Sequence, residues 1–413
     1  MKAILEICCG LDIHRDNIVA TIMKGLLDCE PISDTRTFPA FQDGLKKLKA
    51  WLEEENCHHV AMESTSIYWK PVYTILEDSF DGDIKVLLVN AQSIKNVPGR
   101  KTDVKDSEWI ASLLRAGLLS GSFIPDKDIR ELRELTRYRK NMVHEVSTQK
   151  NRIEKFLQSN GFKLSTFISD VFGVSGRLII GHLIQHGKIS TEELEESIKG
   201  TLRNKKNEIA LAVNGELNNH GKNFLSMQMK HLKQLEENVE EMNKIIDEYL
   251  KKFEQQVTLI EGMHRISKVS ATAIIAEIGK DMSHFANAQK ICSWAGVSPG
   301  CNESAGKKKS AKTRHGNPYI KDILCEVAWT MTRRKESYLA NWYWKVKQRR
   351  GAKKAIIGLA RKILIIIYNM LKDNVVYDEE IFKDNQIRLV EKREKKLILE
   401  LQKRGYKVTQ QVV

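Results

Sequence analysis

ILEICCGLDIHRDNIVATIM, residues 4–23, is two apolar runs on either side of HRDN. Short apolar runs separated by a turn signal read as strands joined by a tight hairpin. The stretch therefore predicts a strand, a turn and a second strand, with Asp12 near the end of the first. DTRTF (34–38) suggests a third short strand. FQDGLKKLKAWLEEE (41–55) has helical periodicity, and HHVAMES (58–64) is a short buried strand running into Glu63. SIYWKPVYTILEDSF (66–80) reads as a helix, IKVLLVN (84–90) as a strand, and KDSEWIASLLRAGLL (105–119) as an amphipathic helix with Asp106 at its start. Strands mixed with helices over residues 1–125 predict an α/β domain.

Beyond residue 130 the pattern is helical. Leu232, Leu235, Val239, Met242, Ile246, Tyr249 and Phe253 recur at alternating spacings of three and four, the seam of a coiled coil over about 225–257. A long helix packed within its own chain would give the same seam. VTLIEGMHRISKVSATAIIAEIG (257–279) reads as helix, glycine turn and small-residue helix, a shape whose turn N–H groups can grip DNA phosphates. The expected organisation is an α/β domain at 1–125, a helical connector with coiled coil at 126–257, a helical domain at 258–375 and a charged tail at 376–413.

The chain has 413 residues, 42% of them hydrophobic, and 67 Lys+Arg against 53 Asp+Glu, a net charge of +14. An excess of that size makes nucleic acid the first partner to consider. Seven cysteines (Cys8, Cys9, Cys29, Cys57, Cys292, Cys301, Cys325) include no C-x-x-C pair, which argues against a zinc ribbon and fits a reducing cytoplasm. Asp12 interrupts the apolar start too early for a signal peptide. AIIGLARKILIIIYNML (355–371) is broken by Arg361 and Lys362, so a buried helix is expected and no membrane span. Cys8 and Cys9 are expected in the core. His182 and His186 in HLIQH lack the glutamate of a zinc protease and are expected to be structural.

Two clusters carry the cationic excess. GVSPGCNESAGKKKSAKTRHGNPYIK (296–321) holds Lys307, Lys308, Lys309, Lys312 and Arg314, with Asn317 beside them, and is expected to begin as a loop. It is not a phosphate-binding P-loop: five residues separate Gly300 from Gly306, and Lys308 stands where Ser or Thr is required. Residues 333–354 carry nine Lys/Arg, among them Arg349, Arg350, Lys353 and Lys354, interleaved with Tyr338, Trp342, Tyr343 and Trp344. Cations and aromatic rings together suit phosphates and stacked bases; aromatics facing a core would leave the same pattern. In GRKTDVKDSE (99–108), Asp103 and Asp106 lie one turn apart among Arg100, Lys101 and Lys105. A helix start accounts for two acids there, and so does a divalent-metal site meeting a polyanion.

GLDIHRDNIVATIM, AMESTSIYWKPVYTIL and NVPGRKTDVKDSEWIASLLRAGLL resemble the RuvC-like (RNase H-like) N-terminal domain of DEDD transposases of bacterial insertion sequences, the insertion-sequence one-ten family. That family includes Piv-type invertases and bridge-RNA-guided recombinases. ISKVSATAIIAEIGKDMSHFANAQKICSWAGVSP and SAGKKKSAKTRHGNPYIKDIL resemble its helical C-terminal transposase domain. The resemblance covers roughly 8–125 and 258–372. It implies that Asp12, Glu63, Asp103 and Asp106 are catalytic acids holding Mg²⁺, with Mn²⁺ as a substitute. It places the serine nucleophile five residues after Pro299, at Ser304, although Ala305 stands where glycine is usual; Ser310 is the fallback.

The resemblance further implies double-stranded donor and target DNA as substrates, a bridge RNA, and a site shared between protomers of a dimer that assembles to a tetramer on DNA. A serine–phosphate link conserves phosphodiester energy, so strands could be exchanged without ATP. Two other readings remain: a Mg²⁺-dependent Holliday-junction nuclease that uses only the acids, and a non-catalytic nucleic-acid scaffold.

Overall fold

A computed structural model describes residues 2–64, 66–90, 106–300, 302–304, 307–310, 312–313, 315–334, 337–380 and 397–402. The expectations for Arg100, Lys101, Asp103, Lys105 and Arg314 lie outside those residues. The chain divides into two compact units, Met1–Ile124 and Pro125–Val413.

In the first unit the opening stretch forms β1 (Ile7–Ile13) and β2 (Asn17–Lys24), closed by the His14 N–H donating to the Asn17 carbonyl at 2.9 Å. β3 (Ile32–Pro39) completes an antiparallel meander. β4 (His59–Glu63) and β5 (Lys85–Val89) add in parallel, giving the order β3-β2-β1-β4-β5. Helices α1 (Gln42–Glu54) and α2 (Trp69–Leu76) lie between the strands in sequence. β1 is buried on both faces, which explains why it reads as a continuous apolar run. Side chains alternate along a strand. Cys9, Leu11 and Ile13 join Leu48, Trp51, Leu52 and Leu76 of α1 and α2 in one core. Cys8 joins Ala61, Ile110, Ala111 and Leu114 on the opposite face, under α3 (Asp106–Arg115).

Gly10 sets how close α3 lies. A Cβ at this position would fall 2.1 Å from the Ser107 carbonyl oxygen and 2.4 Å from the Ala111 nitrogen. Only a glycine allows the helix backbone to approach the strand so closely. The Ser107 and Thr21 hydroxyls share a buried hydrogen bond of 2.7 Å, and Thr21 continues to Thr35 at 2.9 Å. At the other end of α3, Arg115 donates to the carbonyls of Gly25 and Leu26 at 3.1 and 2.8 Å. The helix is therefore pinned at its start, middle and end.

The second unit is built on two long helices, α4 (Lys127–Ser159) and α8 (Asn219–Leu250). Gln149 donates to the Gln228 carbonyl at 3.2 Å, Arg139 to Asn243, and Lys252 pairs with Asp128 at 2.9 Å, so the helices run antiparallel. The predicted seam faces α4 within the chain: Leu232 and Ile246 are buried, while Leu235, Val239 and Met242 are half-buried. Three short helices, α5 (Val174–His186), α6 (Thr191–Ser197) and α7 (Lys206–Ala212), cap one end around Phe162, Ile179, Leu183 and Ile209.

α9 (Glu254–Glu261) and α10 (Lys268–Ile278) are the two helices of the VTLIEGMHRISKVSATAIIAEIG stretch. Next come α11 (Ala288–Trp294), β6 (Asn302–Ser304), β7 (Lys307–Ser310), α12 (Pro318–Met331), α13 (Tyr338–Arg350) and α14 (Ala352–Asp373). The paired strands β6 and β7 stand where a loop was expected. Ala305 and Gly306 lie between them in sequence. α14 is a buried helix, and none of the described helices is long and apolar enough to cross a membrane.

Candidate functional site

The register of β1 and β4 places two of the predicted acids together. Leu11 pairs with Met62, so the next residues in this parallel ladder, Asp12 and Glu63, are cross-strand neighbours. Adjacent strands lie about 4.8 Å apart, and both side chains share the face on which Gly10 and Ala61 meet α3. Asp106 is the first residue of that helix. Three acids thus come from two adjacent strand ends and the start of the helix lying across them. A carboxylate is favoured at that helix terminus by its exposed N–H groups and dipole. His14 Nε2 stands 3.1 Å from Asp12 Oδ2, a partner the sequence reading missed although it lies two residues away.

The donor set is all oxygen and partly open to water, which suits Mg²⁺, a hard ion that holds few carboxylates and retains several waters. Among the described residues, Asp12, Glu63 and Asp106 are not drawn as a trio to within 4.8 Å, as a closed all-protein cage would need; that spacing is met by His182, His186 and Glu193.

In the second unit, Ser304 is the last residue of β6 and pairs with Lys307 of β7, which puts it beside the hairpin tip. Lys308, Lys309 and the alternative serine, Ser310, follow on β7. Below the strands, Pro299 bridges Thr313, and the Gly300 N–H donates to the Lys312 carbonyl at 3.0 Å. At the root, a Cβ on Gly316 would lie 2.3 Å from the Gly296 nitrogen, so the two ends of the segment close backbone to backbone.

A buried ionic network fixes that root. Glu277 is 1% exposed and accepts two hydrogen bonds from Arg137, at 2.7 and 2.8 Å, and one from the Asn317 amide at 2.6 Å. Arg133 donates to the Ala276 and Glu277 carbonyls at 3.0 and 2.7 Å, and burial pushes its guanidinium down to about 10. Arg137 also stacks over Tyr319 at 3.9 Å. Asn317, beside the lysines, is also a candidate nucleic-acid contact from the sequence. In the fold its amide donates to Glu277, and its oxygen accepts the Tyr319 and Ile320 N–H groups as the cap of α12. Glu277 escaped the sequence reading, although a lone acid in the apolar stretch SATAIIAEIG was a usable signal.

The later cluster divides. Arg349, Arg350, Lys353 and Lys354 are exposed around Gly351, which turns α13 into α14 at a φ of 81°. Tyr343 is buried, so it belongs to the core, whereas Trp344 is 44% exposed with Lys347 4.2 Å above its ring.

A transposase model of the DEDD, IS110 type matches residues 9–161, and a model described as the IS116/IS110/IS902 transposase family matches residues 257–344. The Sinorhizobium fredii protein y4qE, provisionally designated a transposase, is 22% identical over 250 residues, 59% of this chain and 52% of that protein. The chain thus spans about half the length of the curated relative it matches. The two models fall on the segments that carry the acids and the serine hairpin, in that order along the sequence, and the chain belongs to the IS116/IS110/IS902 family of transposases.

Proposed function

We propose that this protein is the DNA recombinase of a bacterial insertion sequence, cutting and rejoining strands through a serine–phosphate intermediate. The observation that carries the reading is the β1–β4 register, which makes Asp12 and Glu63 neighbours beneath the helix begun by Asp106. The strand order, three antiparallel strands followed by two parallel ones, supports an RNase H-like, RuvC-like first unit.

Asp12, Glu63 and Asp106, with Asp103, would hold Mg²⁺ or Mn²⁺, which lowers the charge barrier to attack on a phosphodiester. The hydroxyl of Ser304 attacks the phosphorus, the 3′ or 5′ oxygen of the strand leaves with a proton, and the phosphate stays on the serine. Attack by the incoming strand's hydroxyl reverses the exchange and frees the serine. Lys307, Lys308 and Lys309 neutralise neighbouring phosphates, while Arg349, Arg350, Lys353 and Lys354 give a second cationic surface for DNA or for the bridge RNA. Acids and serine lie in different units, and the reading has protomers of a dimer, assembling to a tetramer on two duplexes, share the site. The cytoplasm is the expected compartment.

The test incubates purified protein and its co-purifying RNA with donor and target DNA in Mg²⁺ and looks for a protein–DNA adduct that survives denaturation. Wild type should form the adduct, and Ser304→Ala should form none. Adducts that persist in Ser304→Ala but vanish in Ser310→Ala would move the nucleophile to Ser310. Strand cutting without any adduct would establish the nuclease reading, and DNA binding unaltered in chemistry by Asp12→Ala the scaffold.

A further inference from the structure

His182 and His186 sit one turn apart on α5, so both imidazoles project from the same helix face. Glu193 belongs to the next helix, α6, where it is the third residue of a capping box. Its Oε2 accepts the Ser190 N–H at 2.8 Å, while the Ser190 hydroxyl accepts the Glu193 N–H at 3.1 Å. The cap uses one carboxylate oxygen and aims the other at the histidines. Oε1 lies 3.3 Å from His182 Nδ1 and 3.6 Å from His186 Nε2.

These separations match a tetrahedral metal. Two ligands bonded at about 2.0–2.1 Å and at a tetrahedral angle stand roughly 3.3 Å apart, each bond pointing about 35° off the line between them. His182 Nδ1 is shut off from water and lies close to Oε1, yet it makes no hydrogen bond. A buried ring nitrogen without a partner is costly unless something occupies its lone pair. The imidazoles lie at an interplanar angle of 26°, both facing Glu193. One side is open, because the His186 side chain is 56% exposed, which leaves room for a water as fourth ligand.

We propose that His182 Nδ1, His186 Nε2 and Glu193 Oε1 form a site for Zn²⁺ or a similar divalent transition ion, which clips α5 to α6 at the cap of the long helical pair. Two imidazole nitrogens and a carboxylate select transition ions over Mg²⁺, which prefers oxygen. The site is separate from the acids of the first unit and independent of the catalytic reading.

The full-length protein, stripped with chelator and returned to millimolar Mg²⁺ so that the acid site is already supplied, is titrated with Co²⁺ and then Zn²⁺. Wild type should take up one Co²⁺ per chain with the visible absorption of a four-coordinate ion, release it to Zn²⁺, and unfold at a higher temperature when loaded. His186→Ala should lose the absorption and the thermal shift while its metal-free form unfolds close to wild type, because that ring is largely exposed. Glu193→Gln keeps the capping geometry and should weaken uptake at least tenfold. No stoichiometric uptake by wild type, or uptake unchanged in His186→Ala, would overturn the proposal.

Discussion

Replacing Gly10 with alanine tests the geometry of the acid corner without touching an acid. The added Cβ would lie 2.1 Å from the Ser107 carbonyl oxygen and 2.4 Å from the Ala111 nitrogen, both backbone atoms of a packed helix. Comfortable contacts with carbon begin near 3.5 Å, so α3 must retreat by about 1 Å. The Ser107–Thr21 hydrogen bond of 2.7 Å would then stretch beyond useful length. Overpacking costs about 1–3 kcal/mol and loss of a buried hydrogen bond about 1 kcal/mol. The expected loss is therefore about 2–4 kcal/mol, read as a lower urea midpoint. Asp106 moves with the helix, and under the proposed role for it a displacement of about 1 Å would cost roughly a hundredfold in rate. Adduct formation should fall by about that factor under conditions where the variant is still folded. Ser107→Ala is the control, since it removes the hydrogen bond but leaves the helix seated; it should lose about 1 kcal/mol and keep most activity. A Gly10→Ala protein with wild-type midpoint and wild-type adduct formation would refute the seating of α3 on β1 and the place given to Asp106.

Glu277→Ala should destabilise the second unit by about 2–3 kcal/mol, because it removes the buried carboxylate that the partly buried Arg133 and Arg137 share. In a double-mutant cycle with Arg137→Ala the coupling should exceed about 1 kcal/mol, and additive losses would show that the pair does not interact. Alkylation of the native protein at pH 8 should label Cys29, which is exposed, and spare Cys8, Cys9, Cys57 and Cys292 until the chain unfolds. Burial raises Cys8 and Cys292 to about 11 and Cys57 to about 12, so their neutral form prevails in the fold. An unfolded thiol ionises near 9. The stability these thiols contribute is thus intact below pH 9 and lost as pH rises from 9 toward 11–12; a urea midpoint level across that window would contradict their burial.

Most of the first unit was legible because its signals are local. HRDN marks the hairpin, apolar runs mark the strands, and Asp12 and Glu63 stand at the ends of two of them. Relationships without a local period were not legible. A glycine within a strand reads as a bulge as readily as a close approach, and only α3, about a hundred residues on, reveals which it is. Glu277 and Arg137 are 140 residues apart in sequence, so no spacing rule links them. His182 and His186 were visible as a pair, but their carboxylate arrives through the capping box of the next helix. The seam over 225–257 was read from periodicity alone, which cannot tell a partner chain from α4.

The stretch ICCGLDI encodes fold and site through one parity. With period two, Cys9, Leu11 and Ile13 must share a face, and their burial against α1 and α2 fixes which face it is. Gly10 and Asp12 are thereby committed to the opposite face, under α3. A slip of one residue would bury a carboxylate in the apolar core and lift three large side chains out of it, at a cost far beyond the stability of a domain of this size. The apolar neighbours thus aim Asp12 more firmly than any contact of its own carboxylate. Because Gly10 precedes it by one full period, the residue that draws α3 inward lies directly beside the acid that Asp106 must meet. Substitutions on the apolar side of β1 should therefore reach the chemistry through register as well as through stability. Leu11→Ala, next to Asp12 in sequence but on the opposite face of β1, should lose more adduct formation than its loss of folded protein explains.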